Sequence, residues 1–146
     1  MSRISPSRLP PDALRLIRAA RVAHLASADA GGQPLVIPIC FVFDGQEFFS
    51  PIDEKPKQTS PTSLKRLRNI SANPKVSLIV DRYDEDWRRL SYVLITGQAR
   101  ALFRGRKHSR AVKLLRHKYP QYRRMAIHDR PMIVVVPRKT KVWKNL

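Results

Sequence analysis

The nine residues 35–43 limit the fold more than any other stretch of this chain. Leu35, Ile37, Ile39, Phe41 and Phe43 recur at period two, the spacing of a β-strand that turns one face to a core. Pro38 lies in the middle and has no amide to give to a ladder, so an edge position or a bulge is implied there. Asp44-Gly45 follows at once, a strong two-residue hairpin signal that returns residues 46–52 antiparallel to the first run. Upstream, residues 21–28 are strand-like, and Ala30-Gly31-Gly32-Gln33 supplies the reversal into residues 35–43.

At 146 residues the chain fits one domain. Residues 1–11, with three prolines and three serines, read as a loose leader, and 12–146 as a single domain. Asp12 opens a short helix with Leu14, Ile17 and Ala20 on one face. Ser60-Pro61 is a good start for a second helix, with Leu64, Leu67 and Ile70 inward, Lys65, Arg66, Arg68 and Asn69 on its flanks, and a stop at Asn73-Pro74. Residues 75–81 and 91–103 read as strands joined by an acidic loop. Residues 105–122 read as a helix with Val112 and Leu115 inward, and residues 131–136 and 141–143 as a closing strand pair broken at Pro137. Short antiparallel strands with two or three helices between them predict an α+β, mainly β fold, a small barrel.

Apolar residues make up 42% and charged residues 27%, which excludes a collagen-like or wholly disordered chain. No apolar run approaches the ~20 residues that a membrane-spanning helix requires. Arg15, Arg18 and Arg21 interrupt the early apolar periodicity, so no secretory signal is visible and a cytoplasmic location is expected. The net charge of +18 is unevenly placed. Residues 1–86 carry 12 basic and 10 acidic side chains, whereas residues 87–146 carry 17 basic side chains and a single acid, Asp129. Such a surface attracts nucleic acid, anionic lipid or small phosphate- and carboxylate-bearing ligands alike. A nucleic-acid role for the helical region 104–124 is disfavoured by its aromatics, since Tyr119 and Tyr122 cluster at one end rather than alternating with the cations.

Most titratable residues suggest no chemistry. His24, His108, His117 and His128 include no pair at helical i, i+4 spacing; His24 reads as a packed or edge residue and the other three as solvated. Cys40, the only cysteine, forms no internal disulfide and reads as a small buried hydrophobe. Asp84, Glu85 and Asp86 read as solvated surface, with pairing to the basic helix at 107–116, in the same chain or across a dimer, as the alternative. The fingerprints of α/β-hydrolases, P-loops and Rossmann folds are absent. More informative is the stretch from Lys55 and Lys57, which flank Pro56, to the capped helix carrying Lys65, Arg66 and Arg68. It has the makings of an anion cradle, though a solvated lysine-rich loop would look the same.

Several segments in order, Arg21-Val22-Ala23-His24-Leu25-Ala26-Ser27-Ala28, Gly32-Gln33-Pro34-Leu35-Val36-Ile37-Pro38-Ile39-Cys40-Phe41, Ile52-Asp53-Glu54-Lys55-Pro56-Lys57, Leu64-Lys65-Arg66-Leu67-Arg68-Asn69-Ile70 and Asp81-Arg82-Tyr83-Asp84-Glu85-Asp86-Trp87, resemble the deazaflavin-dependent branch of the pyridoxamine 5'-phosphate oxidase-like family. The resemblance implies a split β-barrel, a homodimer, and a flavin-type cofactor in a groove between subunits, coenzyme F420 or alternatively FMN. It implies that Lys55 and Lys57 hold the cofactor phosphate with help from Lys65 or Arg68, that Val36, Ile37 and Pro38 lie along the tricyclic ring, and that Trp87 shapes the pocket or the dimer contact. The expected activity is hydride transfer between that cofactor and a small organic redox substrate; the alternatives are an FMN oxidase or reductase of the same fold, or a non-catalytic cofactor- or polyanion-binding barrel. The resemblance names no catalytic residue. The very basic last third departs from the pattern and exceeds what one ligand requires.

Overall fold

The computed structural model describes residues 2–4, 8–53 and 61–144, with side chains for 8–53 and 65–144. Its strands are β1 (Ser2–Ile4), β2 (Ala23–Ala28), β3 (Pro34–Ile39), β4 (Val42–Phe43), β5 (Phe48–Pro51), β6 (Lys75–Arg82), β7 (Ser91–Leu102) and β8 (Met132–Lys144). The helices are α1 (Pro11–Ala19), α2 (Pro61–Ala72) and α3 (Arg106–Lys118). All pairings are antiparallel and follow the order β3-β2-β6-β7-β8-β5-β4, with β1 added against β8 through Ser2–Val142 to Ile4–Thr140. Part of the expected leader therefore joins the sheet.

The two ends of that path, β3 and β4, are neighbours in sequence. Residues 35–43 are consequently two strands rather than one: β3 pairs with β2 at one edge, β4 pairs with β5 at the other, and Cys40-Phe41 carries the chain between them. The sheet curls so that this corner joins its edges, which gives a split barrel. The period-two pattern runs through the corner because Ile37, Ile39 and Phe41 all point into the same core. Pro38 sits on the edge strand, as its missing amide requires.

Two apolar clusters share the sheet. The barrel interior holds Leu25, Ile39, Phe41, Phe48, Leu78, Val80, Val93, Ile95, Ile133 and Val135, closed at one end by Ala13 and Ile17 of α1. A second cluster lies beneath α3 and contains Phe49, Met132 and Val134 with Ala111, Val112 and Leu115. Successive residues of β5 and β8 thus alternate between two cores and are buried on both faces. The closing segment is one strand, not a broken pair. Pro137 is accommodated where the register slips: Thr96 faces Lys139 while Gly97 faces Pro137, and Arg138 is the extra residue of a bulge. α3 ends at Lys118, and a 3-10 turn over Pro120–Arg124 follows.

The corner at Phe41 is pinned from α3. The Phe41 amide donates to the Tyr119 hydroxyl at 3.1 Å, and that hydroxyl donates to the Arg21 carbonyl at 2.8 Å with the Phe41 carbonyl at 3.1 Å as second acceptor. Lys118 Nζ donates to the Phe41 carbonyl at 2.9 Å and lies 4.0 Å from the centre of the Phe41 ring, while Arg21 donates to the Lys118 carbonyl at 2.7 Å. Tyr119→Phe removes the hydroxyl and leaves buried backbone groups short of a partner, at a cost of about 1–3 kcal/mol. The thermal midpoint is expected to fall by roughly 4–10 °C in circular dichroism; an unchanged midpoint would contradict the clasp.

The same knot sets a pH dependence. Burial, reinforced by Arg21, pushes the Lys118 ammonium down to about 8, and burial pushes the Tyr119 phenol up to about 12. From about 8 up to 10.5 the unfolded chain holds more protons at the lysine than the folded one, so stability rises with pH. From 10.0 to about 12 the unfolded tyrosine is ionised and the folded one is not, so stability falls again. Urea midpoints across this range should pass through a maximum, and Lys118→Met should flatten the rising limb; parallel curves for the two proteins would refute this assignment.

Candidate functional site

Because the barrel core takes one face of β2, β6 and β7, the other face is set by the alternate residues. Cross-strand pairing aligns Val36, Ala26, Ser77, Thr96 and Lys139 in one outward row, with Pro34, Ala28, Lys75 and Gln98 in the next and Pro38, His24, Ile79, Leu94 and Lys141 on the other side. Most of these side chains are small or unbranched at the centre, so the backbone itself forms a shallow floor. A groove of about 550 Å³ crosses the four strands here, and its cations are Lys75, Arg138 and Lys139. Ser77, Thr96 and Gln98 add hydroxyl and amide groups, and among the described residues no acidic one lines it.

The bulge shapes this groove. At Gly97 the β7 and β8 backbones approach so closely that an added Cβ would stand 2.1 Å from the Val136 carbonyl oxygen, and the extra residue Arg138 is exposed where it lines the groove. Gly97→Ala must therefore push the strands apart, and a loss of about 1–3 kcal/mol is expected in urea unfolding. A variant as stable as the parent would show that this approach is not required.

The predicted site residues divide. Val36 is 62% exposed on the edge strand, and Pro38 is exposed beside it. Ile37 points the other way into the barrel core, so only its backbone faces a ligand on the outer surface. Lys55 and Lys57 lie outside the described residues. The chain is fixed just before them: the Tyr122 hydroxyl donates to Asp53 Oδ2 at 3.0 Å, and Arg130 donates to the Asp53 carbonyl. Burial and the Asp53 carboxylate raise the Tyr122 phenol well above its ordinary value. On α2, which rests on β7 and β2, Lys65 is half-buried and Arg68 exposed, but Arg66 and Asn69 are buried rather than flanking. Asn69 Nδ2 donates to Ser27 Oγ at 3.2 Å, tying the helix to the strand beneath the groove.

Other expectations change as well. Within the chain, Asp84 and Asp86 pair locally, with Arg82, Arg89 and Arg88, while among the described residues α3 pairs Lys107 with Glu47 and Arg110 with Asp44. His108 is buried, not solvated, with Nε2 2.7 Å from the Arg130 carbonyl, whereas His24 is exposed. Tyr119 and Tyr122 are core residues. Trp87 is 63% exposed in the loop between β6 and β7. No cluster of three metal-ligating side chains occurs among the described residues. Sequence reasoning missed Lys75, Arg138 and Lys139 as groove residues. The only hint was their position after Asn73-Pro74 and Pro137, where a strand's facing is hardest to assign.

The fold is that of a known family. The chain belongs to the pyridoxamine 5'-phosphate oxidase family, whose profile matches residues 9–144. A search of curated proteins returns no match. Among solved structures, the chain is similar to the conserved hypothetical protein Rv2991 from Mycobacterium tuberculosis, with TM-score 0.70 and 19% identity over 99% of this chain and 91% of that one. It is also similar to HutZ, the heme storage protein from Vibrio cholerae, with TM-score 0.68 and 16% identity over 94% of each chain. An F420 reductase matches with TM-score 0.63 and 23% identity over 91% of this chain and 98% of that one. At such identities the likeness is one of fold. No helix among the described residues is long and apolar enough to cross a membrane.

Proposed function

We propose that the protein is an oxidoreductase that binds a phosphate-bearing deazaflavin, coenzyme F420, on the outward sheet face, in a cleft completed by a second copy of the chain. The observation that carries this reading is the groove whose described lining sets Lys75, Arg138 and Lys139, and no acid, along a floor of small side chains. A planar ring can approach such a floor closely, and a phosphodiester with several carboxylates requires the cations beside it. Lys55, Lys57, Lys65 and Arg68 would hold the phosphate, and Val36 and Pro38 with the Ile37 backbone would lie along the ring. When bound, the cofactor supplies the hydride chemistry; the chain binds and orients it and, as a dimer, excludes water. Val36, exposed on the outer face, suits burial by that second subunit.

Fluorescence polarisation with F420 and with FMN tests the proposal. F420 is expected to bind more tightly, and a Lys55→Ala, Lys57→Ala double variant is expected to lose at least about tenfold in affinity, the scale of one or two charge-assisted hydrogen bonds. Tight FMN binding without F420 binding would replace the deazaflavin by the flavin. A second reading follows from His24, which is exposed on this face beside Pro38 and offers an imidazole to a porphyrin iron; the similarity to HutZ supports it. A hemin Soret shift abolished by His24→Ala would favour that reading over both flavins.

A further inference from the structure

A separate cationic surface runs along α3 and shares no lining residue with the sheet groove. The helix buries His108, Ala111, Val112 and Leu115. Its outer face exposes Arg106, Arg110, Lys113 and His117, spaced i, i+4, i+7, i+11, which is a single stripe about 16 Å long at 1.5 Å per residue. α3 contains no acidic residue. The β4–β5 hairpin brings two carboxylates to one flank, for Lys107 and Arg110, but Arg106 and Lys113 have no carboxylate partner among the described residues. Between the stripe and the turn at Ile127–Asp129 lies a cavity of about 770 Å³ that includes Arg106, Arg110, Lys113, Arg116 and His128 in its lining. One wall is preset: the Arg116 guanidinium donates to the carbonyls of Tyr122 at 3.1 Å and Met125 at 3.0 Å and lies 3.1 Å from His128 Nδ1.

The partner follows from what lies beside the charge. Arg106 offers a planar donor fork suited to phosphate oxygens, Arg110 a second one shared with Asp44, and Lys113 a point charge between them and the far end of the helix. Phe103, immediately before Arg104-Gly105 at the head of the helix, is 68% exposed, although the tyrosines at the other end are buried. An exposed aromatic ring at the head of a cationic track is the arrangement that holds single strands, through stacking on a base and charge along the backbone. A lipid surface fits less well, because the apolar side of α3 faces the second core and Phe103 alone gives little area for insertion. We propose that the α3 stripe with Phe103 is a binding surface for single-stranded nucleic acid, a track for a few successive nucleotides.

The test is fluorescence anisotropy of the full chain with labelled oligodeoxythymidylate and oligouridylate of about twelve nucleotides, a duplex of equal length, and phosphatidylserine vesicles in competition. Comparing the two strands identifies DNA or RNA as the source. Affinity should fall with salt at a log–log slope near −2, the value for about three phosphates neutralised on a single strand by Arg106, Arg110 and Lys113. Arg106→Glu with Lys113→Glu should cost at least about tenfold. Phe103→Ala should cost about fivefold or more with the slope unchanged. The Gln versions of the charge variants serve if the Glu versions lower the thermal midpoint. Unchanged binding in these variants overturns the proposal. So does loss of binding on charge reversal at Lys75, Arg138 and Lys139 alone, or equal affinity for duplex or vesicles with no effect at Phe103.

Discussion

The closure of this sheet rests on a corner of backbone that a single tyrosine hydroxyl holds together. The strand order places β3 and β4 at opposite ends, yet only Cys40 and Phe41 separate them in sequence, so the chain must leave one ladder and enter another within two residues. Backbone groups at such a corner lose their strand partners inside a dry core, where an unmet donor is costly. Tyr119 meets the Phe41 amide and carbonyl together and ties them to Arg21 at the entry to β2. Lys118 adds its ammonium to the same carbonyl and covers the Phe41 ring. Helix α3, remote in sequence, is thus the clamp that makes a curved sheet into a split barrel.

From that closure the outer face follows. Once one side of β2, β6 and β7 is committed to the interior, Ala26, Ser77 and Thr96 are placed on the exterior, and the bulge at Arg138 exposes a guanidinium over them. A register that kept Pro137 in an unbroken ladder would have left no place for its missing amide. The irregularity that accommodates the proline also leaves Arg138 as the extra residue at the groove.

Much of this was readable in residues 35–52, where period two and Asp44-Gly45 indicate strands and a hairpin that the structure contains. The corner was not readable, because inward alternation continues through Ile39 and Phe41 while the hydrogen-bond partners change, and periodicity reports facing rather than pairing. The helix at 105–122 was legible in kind, but His108 was assigned to solvent because its Arg130 carbonyl partner lies 22 residues away. Arg66 and Asn69 illustrate the same limit: helical spacing places them beside Leu67 and Ile70, and only tertiary packing decides that these polar groups turn inward. The outward facing of Val36 and Pro38 was legible in the strand period, and that of Arg68 in the helical one. The exposure of Arg138 at the groove depended on a bulge that no local pattern encodes.

The double burial of β5 and β8 bears on how long the basic helix stays in place. Phe49, Met132 and Val134 face α3, while their neighbours Phe48, Ile133 and Val135 face the barrel. Peeling the helix away would therefore uncover one side of strands whose other side forms the barrel wall, and little apolar surface separates the two events. Helix and barrel behave as one cooperative unit, so amide protons of α3 exchange with solvent through opening of the whole domain rather than by local fraying.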